Sequence, residues 1–345
     1  MIVLLQGIPD YVFSSALSEF YFSTDAASAR FRLTKGSEVI LDENYVPDGN
    51  GQIVVYDLQR LIEPYLRTNL KETFSYTITD AFGSTQSGSF AAQYCAADVP
   101  MPASQFVQKY FLSTLMGQKN TSMERKEFVH LVTDAAVDVV AYATYWSESD
   151  GLSSSEQTLA SVSELGKVVT VDVSPNLLES TDKMLVSYVV MADARRMSFK
   201  VDNDCPDVAP SLVFTNSFGC QETFYCTGTQ ELDPQFTRSA SLIGGKYRNY
   251  LIEENRVFSA NTGFMPPEMA QWADELFRSR EIYLMVDNIP GKEVTITESD
   301  SKRSNDYDAM PYFTFKYRYA QRNHNIIHLP RAGRVFDYTF DDTFE

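Results

Sequence analysis

The chain has 345 residues, of which 44% are hydrophobic and 22% are charged, a composition that is ordinary for a globular protein. Its formal net charge is −17, and no block of Lys or Arg could follow a phosphate backbone, so we expect no nucleic-acid partner. The apolar run at the start is too short for a signal peptide, and no apolar stretch approaches about 18 residues. We therefore expect neither Sec export nor membrane insertion.

The length exceeds the size at which a single hydrophobic core keeps growing, which predicts two or three domains. Aromatic residues make up 13% of the chain, with 20 Tyr and 23 Phe. Flat rings pack well across the strands of a pleated sheet, so this composition favours a mainly β fold.

Three blocks in the first two-thirds of the chain recur in the same order. They are residues 20–33 with 128–142, residues 51–63 with 166–179, and residues 74–78 with 186–190. The spacing between matched blocks changes by only a few residues, as insertions in surface loops would cause. Short strands at this spacing are typical of immunoglobulin-like or fibronectin-like sandwiches. We therefore predict an internal duplication, with one β-sandwich in residues 1–98 and a second in residues 99–205.

Local signals in the first copy agree with short strands joined by tight turns. Residues 47–51 contain Asp-Gly and Asn-Gly pairs, which supply the positive φ that tight turns require. After this turn, Asp57 is expected to cap a short helical turn over residues 58–62, which Pro64 would stop.

The remainder of the chain is unlike either copy, and we predict a β-rich α+β domain over residues 211–345. Residues 202–210 precede it and combine acidic residues with two prolines, as a linker would. Two strands are expected around a tight turn at residues 216–219. One prominent helix is predicted at about residues 266–279, because its apolar residues fall on one helix face. These residues are Met269, Trp272, Ala273, Leu276 and Phe277.

The chain ends in a run that alternates aromatic and acidic residues beyond any obvious core. This run is either a disordered tail or an arm that adds as a strand to a neighbouring subunit. The aromatic residues of the possible assembly arm are Phe336, Tyr338, Phe340 and Phe344.

Histidines are scarce, with only three in the chain. His130 lies in an apolar strand and is expected to be a structural residue. His324 and His328 have the spacing that places two ligands on one helix face, but no Glu follows His324 as a zincin motif requires. Because Pro330 also follows closely, we expect no metal site there.

Other segments resemble chemical motifs only in part. Asp48 opens a run similar to a calcium loop, but its twelfth position is Gln59, which cannot supply a bidentate carboxylate, so a turn is expected. Asp202 and Asp204 could hold a cation between domains, although acidic linkers are common. Gly244 and its neighbours lack the spacing of a phosphate-binding loop and predict a hairpin turn. We therefore expect a non-enzymatic protein with no catalytic residues and no cofactor.

The four cysteines are expected to remain reduced. Cys220 and Cys226 flank five residues without a turn, so in a strand they would lie about 20 Å apart, beyond the reach of a disulfide. Cys95 and Cys205 are distant in sequence. This pattern favours a reducing compartment.

The third unit contains an Asn-Ser-x-Gly element in residues 212–219 and an Asn-Thr-Gly element in residues 261–268. These segments resemble parts of structural proteins of phages and prophages of Bacteroidetes, and residues 45–51 are similar to a turn in such proteins. The resemblance covers about residues 211–325. It implies a virion component of the tail or baseplate, synthesised in the host cytoplasm and without catalytic residues. The implied partners are other copies of the chain and other virion proteins, contacted through unpaired sheet edges.

A carbohydrate-binding or receptor-binding adhesive protein is the main alternative, since such proteins are also built from β-sandwiches. An exposed aromatic ring would support it, and Trp146 is the possible ligand contact. The position of Trp146 near a strand end nevertheless predicts a core residue. Trp272, on the apolar helix face, is also predicted to lie in the core.

Overall fold

A computed structural model describes residues 1–17, 19–202, 210–303 and 310–321. Within these ranges the protein consists mainly of β-strands, with three α-helices. The mainly β fold that the aromatic composition predicts is thus confirmed. Three successive units are named here by position: the first unit (residues 1–98), the second unit (99–202) and the C-terminal unit (210–321).

The first unit places two sheets face to face around a cluster of buried aromatic rings. Its strands are β1 (Val3–Gln6), β2 (Tyr11–Phe13), β3 (Glu19–Ser23), β4 (Ala29–Lys35), β5 (Glu38–Tyr45), β6 (Gln52–Tyr56), β7 (Lys71–Asp80) and β8 (Thr85–Gln93). One sheet has the order β1-β3-β6 and the other β2-β8-β7-β4-β5. All neighbours are antiparallel except β2, which runs parallel to β8. Phe20, Phe22 and Phe31 fill the space between the sheets.

The second unit repeats the strand order of the larger sheet, whereas its smaller sheet has two described strands instead of three. It contains one short helix, which precedes its sheets, and seven strands. These elements are α2 (Ala103–Lys109), β9 (Gln118–Thr121), β10 (Phe128–Val132), β11 (Val137–Ser147), β12 (Gly151–Val162), β13 (Val168–Asp172), β14 (Met184–Ala192) and β15 (Arg195–Val201), while α1 (Leu58–Asn69) belongs to the first unit. The larger sheet has the order β9-β15-β14-β11-β12, with β9 parallel to β15, and β10 pairs with β13.

The three sequence blocks that recur lie in corresponding strands of the two units. The first block begins in β3 and β10 and continues into β4 and β11, the second covers β6 and β13 with the helical segment that follows each, and the third lies in β7 and β14. Local geometry recurs as well: the hydroxyl of Thr24 accepts a hydrogen bond from the Ala26 amide at 3.1 Å, and Thr133 does the same for Ala135 at 3.3 Å. The matched sequences therefore form matched structure.

The crossing segment after β6 differs from the expectation. The predicted short turn is a helix of 12 residues, α1, and Pro64 lies inside it rather than ending it. Ile62 and Leu66, on either side of Pro64, are fully buried, so packing against the core outweighs the loss of one helical hydrogen bond. Asp57 has a φ of 58° and makes no side-chain capping bond, so the predicted cap is also wrong. The second unit has only a single 3-10 turn here, Pro175–Leu178.

The C-terminal unit is one seven-stranded sheet with a helix packed on it. Its elements are β16 (Ser211–Thr215), β17 (Gln221–Tyr225), β18 (Gln230–Ile243), β19 (Lys246–Asn261), α3 (Pro267–Arg278), β20 (Ile282–Val286), β21 (Ile289–Asp300) and β22 (Thr314–Tyr319). The strand order is β17-β16-β20-β21-β22-β19-β18. α3 lies where the apolar periodicity predicts a helix, and its Trp272 packs against Phe214 and Phe224, with ring centroids 5.6 and 5.4 Å away.

Hydrophobic packing joins the units into one body. The second and C-terminal units share a continuous cluster of buried side chains that includes Phe199, Phe214 and Trp272. A smaller cluster lies where all three units meet and includes Phe13, Phe106 and Phe218. The expected acidic linker falls mostly in residues 203–209, outside the described residues.

Three cysteines lie in the described part of the chain, and all three are free and buried. Burial raises the pKa of the Cys95 thiol to about 11 and also raises the pKa values of Cys220 and Cys226. These thiols are therefore protonated and unreactive at neutral pH. Cys205 lies outside the described residues. No helix among the described residues has the length and apolar character needed to cross a membrane.

Candidate functional site

His130 is a structural residue, as its apolar strand predicts. Its Nε2 donates to the carbonyl of Gln221 at 2.8 Å, because a carbonyl oxygen can only accept, and Nδ1 lies 2.9 Å from the Thr170 hydroxyl. Burial lowers the pKa of His130 to about 4, so the ring is neutral at physiological pH. This side chain joins the second unit to β17 of the C-terminal unit.

The oxygen-rich segments do not form a metal site among the described residues. The Asp48 carboxylate accepts hydrogen bonds from the amides of Asn50 and Gln52, at 2.9 and 2.8 Å, which is the geometry of a turn. Within the described ranges, no group of three or more His, Cys, Asp or Glu side chains could hold a metal ion. Asp204, His324 and His328 lie outside those ranges.

The aromatic arm predicted at the end of the chain, Phe336, Tyr338, Phe340 and Phe344, also lies outside the described residues. Assembly through that arm stays a prediction.

Trp146 is not the core residue that its position predicts. Its side chain is 43% exposed, because β11 turns this residue to the outer face of the sheet. Leu152 lies opposite Trp146 and is 69% exposed, and Tyr142 lies four residues earlier on the same face. A shallow cavity of about 270 Å³ adjoins Tyr142. These residues form an exposed aromatic patch on the second unit.

The turn at residues 216–219 is inserted between the first and second units. The carbonyl of Ser217 accepts the amide of Ala96 at 2.7 Å, and the Asn216 side chain donates to the carbonyl of Leu112 at 2.8 Å. Asn216 Oδ1 also accepts the amides of Phe218 and Cys220, at 2.9 and 3.0 Å, which fixes the turn itself. The Asn-Ser-x-Gly element is thus a joint that fastens the three units together.

Gly219 is required at the end of this turn for two reasons. Its φ is +78°, a conformation that residues with a side chain rarely adopt. In addition, a Cβ atom at this position would lie 2.4 Å from Leu70 Cδ2 and 3.1 Å from Tyr94 Cδ1 in the first unit. The backbone of the C-terminal unit therefore approaches the first unit as closely as a glycine permits.

A cavity of about 390 Å³ lies beside the turn, between the first and C-terminal units. Arg67 and Arg278, which line it, are in the last turns of α1 and α3. Cations at helix C-termini interact favourably with the helix dipole, so these arginines are explained by the helix ends that meet there.

A buried network of polar groups connects the second unit to β17. The Lys119 ammonium group donates to Glu127 Oε2 at 2.5 Å and to the carbonyl of Thr223 at 2.7 Å. It also lies 4.9 Å from the centre of the Trp272 ring, an aromatic contact that favours a cation. The Trp272 Nε1 in turn donates to Glu222 at 2.5 Å. These groups fix β17 in place, and none of them is exposed to a ligand.

The opposite edge of the same sheet extends away from the body as a long hairpin. β18 and β19 contain 14 and 16 residues and are joined at Gly244 and Gly245, whose φ values of 59° and 75° suit a two-residue hairpin turn. β19 pairs with β22 only from Phe258 onward. Residues 231–257 are called the ribbon. Residues 231 and 232 lie opposite Ser259 and Phe258, at the margin of the sheet, and residues 233–257 extend beyond it as two strands, about 40 Å long at 3.3 Å per residue.

The two faces of the ribbon differ in polarity. Register places Leu232, Phe236 and Leu242 of β18 on one face, since strand residues two apart point the same way. Tyr247 lies opposite Leu242 on this apolar face. These four side chains are 50%, 44%, 60% and 82% exposed, so the apolar face is open to solvent. This face also carries charged residues of both strands: Arg238, Glu254 and Arg256. The other face is more polar, although it includes Ile243, Leu251 and Val257; its remaining residues include Glu231, Asp233, Gln235, Thr237, Ser239, Ser241, Lys246, Arg248 and Glu253.

Sequence reasoning identified the Gly-Gly turn but missed the strands on either side of it. Large apolar residues recur every four to six positions in β18, at Leu232, Phe236 and Leu242, which is too sparse for a clear alternating pattern. The available signal was the Gly-Gly pair with strand-length polar segments on both sides. The ribbon is the principal surface feature that the sequence analysis did not find.

A comparison of the chain with protein-family models finds no match, and a comparison with curated proteins finds none either.

Proposed function

We propose that this chain is a non-enzymatic structural protein of a virion, a component of a phage tail or baseplate, which acts by assembling with other proteins. The ribbon is the observation that carries this proposal. An isolated two-stranded hairpin is marginally stable in water, and open strand edges readily pair with other chains. A ribbon with one apolar face, held on a firmly packed body, is suited to become ordered against a partner.

We also infer that the first two units are copies of one immunoglobulin-like or fibronectin-like sandwich. The identical order of their larger sheets, including the parallel first strand, supports this inference. Tandem sandwiches serve well as spacers in an assembly, because each is rigid and its ends are far apart. The shared packing at residues 216–219 would keep them at a constant angle.

The proposal is tested by removing the ribbon while keeping the body. Residues 236–254 are replaced by a short Asn-Gly turn between Gln235 and Asn255, which are paired across the hairpin. We expect the shortened protein to fold, with unchanged thermal unfolding of the body, and to lose association with itself and with co-purified virion proteins. Association would be measured by sedimentation velocity and by affinity capture from infected or induced cells.

An electron micrograph of the particle that contains the chain would test the same proposal directly. Labelling of a tag on the N-terminus is expected at the tail or baseplate. Absence of the chain from purified particles would contradict the proposal.

The exposed patch around Trp146 favours a second candidate function, adhesion to a carbohydrate or receptor. Exposed aromatic rings bind sugar faces well, and Trp146 and Tyr142 lie on one sheet face. A glycan array with wild type and with Trp146→Ala separates the two functions. Specific binding that disappears in the variant would favour adhesion, whereas no binding by either protein would leave assembly as the better explanation. Trp272→Ala is unsuitable as a control because Trp272 is buried.

A further inference from the structure

The cavity of about 390 Å³ between the first and C-terminal units is lined by three arginines, Arg67, Arg278 and Arg280. The ends of α1 and α3 account for Arg67 and Arg278, but Arg280 lies beyond the end of α3. All three are exposed, and none of them forms an ion pair with another described residue. On a chain with a net charge of −17, three such guanidinium groups at one cavity indicate a site for an anionic ligand.

The half-buried Tyr94 shows that two of these arginines converge. Burial raises the pKa of the Tyr94 hydroxyl and the Glu63 carboxylate raises it further, whereas Arg280 and Arg67 both lower it. Both guanidinium groups are therefore close enough to the hydroxyl to interact with it. The cavity presents an aromatic ring beside its cations.

Two acidic residues also line the cavity, but only one is free of the turn at residues 216–219. The Glu275 carboxylate accepts the amide of Ser217 at 2.7 Å and its hydroxyl at 2.8 Å. Glu281 is exposed. The cations of the cavity therefore outnumber the carboxylates that remain to balance them.

The chemistry of these groups selects a ligand that carries both carboxylates and aromatic rings. Arginine binds carboxylates through paired hydrogen bonds and also stacks on rings. Residues 335–345 of this chain have that composition, and no Lys or Arg follows Arg334. The acidic residues of this segment are Asp337, Asp341, Asp342 and Glu345, and its aromatic residues are Phe336, Tyr338, Phe340 and Phe344.

The segment can reach the cavity of its own chain. Phe214, Ile282, Val294 and Tyr319 are paired in a row across β16, β20, β21 and β22. Neighbouring strands are about 4.8 Å apart, so Tyr319 lies about 14 Å from Phe214, which adjoins the cavity residue Thr215. The stretch from Tyr319 to residue 335 spans up to about 50 Å when extended. Such a tether gives the segment an effective concentration of about millimolar at the cavity.

We propose that the cavity between the first and C-terminal units binds residues 335–345 of the same chain, with carboxylates of this segment paired to Arg67, Arg278 and Arg280. This contact goes beyond the assembly function and does not depend on the ribbon. A segment held in this way must leave the cavity before it can add as a strand to a neighbouring subunit.

Carbodiimide cross-linking of the full-length Arg280→Lys variant tests the proposal. The substitution keeps the positive charge and supplies an amine, which a carbodiimide joins to a carboxylate only when the two are in contact. Mass spectrometry of the monomer is expected to find residue 280 linked to acidic residues of the segment in about fivefold higher yield than Lys302. Lys302 is exposed and follows β21, at a similar distance from Tyr319, so a freely moving segment would react equally with both positions.

Removal of the other two cations separates binding at the cavity from the effect of the tether. Arg67→Gln with Arg278→Gln, added to Arg280→Lys, is expected to lower the yield at residue 280 about fivefold, because two charge-assisted contacts are lost. The matched control, Lys167→Gln with Arg196→Gln, changes two exposed residues of the second unit and should leave the yield within about twofold. Circular dichroism and thermal unfolding would verify that every variant is folded.

The outcomes distinguish this contact from the proposed function. A link within the monomer that depends on Arg67 and Arg278 supports the proposal. Links found only in cross-linked dimers would mean that the cavity binds the segment of another copy. A yield at residue 280 no higher than at Lys302, or one unchanged by Arg67→Gln with Arg278→Gln, would mean that the segment does not bind there. Either of these results overturns the proposal, whereas the assembly function is tested separately by removal of the ribbon.

Discussion

The two edges of the C-terminal sheet are in opposite environments. At one edge, β17 is covered by the second unit, and Phe224, Tyr225 and Cys226 are almost completely buried. At the other edge, β18 has β19 as its only neighbour among the described strands, and most of its residues are exposed. One edge holds the body together, whereas the other is exposed and is the edge to which the proposed assembly contact belongs. If that proposal is right, stability and assembly depend on different strands of one sheet.

Hydrogen bonding follows the same division. The hydroxyl of Tyr225 donates to the carbonyl of Lys126 at 2.7 Å and accepts its amide at 2.8 Å, so β17 is tied to the second unit by both backbone groups. On the ribbon, Arg238 lies 4.9 Å from the ring of its neighbour Phe236, a contact within the hairpin itself. Substitutions at the two edges should therefore affect different measurements.

The largest effect is expected from breaking the buried ion pair beside β17. Lys119→Met leaves Glu127, whose side chain is completely buried, without its cation. An uncompensated buried charge costs about 3–5 kcal/mol, which chemical denaturation would detect as a lower free energy of unfolding. Adding Glu127→Gln to Lys119→Met removes the stranded charge, so the double variant is expected to recover much of the loss.

Lys316 provides a matched control, since it pairs with Glu298 on the exposed surface, where the two side chains are 47% and 67% exposed. Lys316→Met is expected to change stability little, because exposed pairs contribute weakly. Equal losses of unfolding free energy in Lys119→Met and Lys316→Met would show that the buried ion pair beside β17 stabilises the protein no more than an exposed pair does.

Acidification should lower the stability of the protein at β17 through His130, which contacts this strand. Its pKa falls from 6.5 to about 4 on folding, so the unfolded chain takes up a proton at higher pH than the folded protein does. The stabilising contribution of the neutral ring is complete above about pH 6.5 and is lost as the pH falls toward 4, a change of about 3 kcal/mol. His130→Gln should lack this part of the pH dependence. Urea unfolding of both proteins from pH 7 to pH 4.5 gives their free energies of unfolding. An equal fall of this free energy with pH in wild type and in His130→Gln would refute the expectation.

A smaller effect is expected at the joint with the first unit. Gly219→Ala strains a backbone with positive φ, at about 1–2 kcal/mol, and also pushes a methyl group against Leu70 and Tyr94. Gly36→Ala is the matched control, because Gly36 has a φ of +55° but nothing within 4 Å of its would-be Cβ. The loss of unfolding free energy in Gly219→Ala beyond that in Gly36→Ala measures the contribution of the contact between the units. Hydrogen exchange around residues 70 and 94 should rise only in that variant.

Sequence reasoning succeeded where local chemistry determines the structure. The turn at residues 216–219 contains its own determinants, since Asn216 caps two amides and Gly219 supplies the positive φ. The periodic apolar face around Trp272 likewise predicts α3. These features need no information from distant parts of the chain.

Tertiary context explains what the sequence did not reveal. Pro64 stands inside α1 because the buried residues Ile62 and Leu66 hold the helix on both sides of it. Trp146 is exposed because its outward position follows from the register of β11, which the aromatic character of the residue does not indicate. The ribbon was missed because its apolar residues are too sparse to form an alternating pattern, and within the described part of the chain its distal strands pair only with each other.

The smallest effect on stability is expected where the same substitution is made at the exposed edge. Phe236→Ala on the ribbon removes a ring that is 44% exposed and should change the free energy of unfolding by no more than about 0.5 kcal/mol. Phe224→Ala on β17 removes a completely buried ring and should cost about 3–5 kcal/mol. Self-association should respond in the opposite order, weakening in Phe236→Ala, while any Phe224→Ala protein that remains folded should associate as wild type does. A Phe236→Ala variant that unfolds as easily as Phe224→Ala would mean that the ribbon belongs to the core of the monomer, and the division of labour between the two edges would then be wrong.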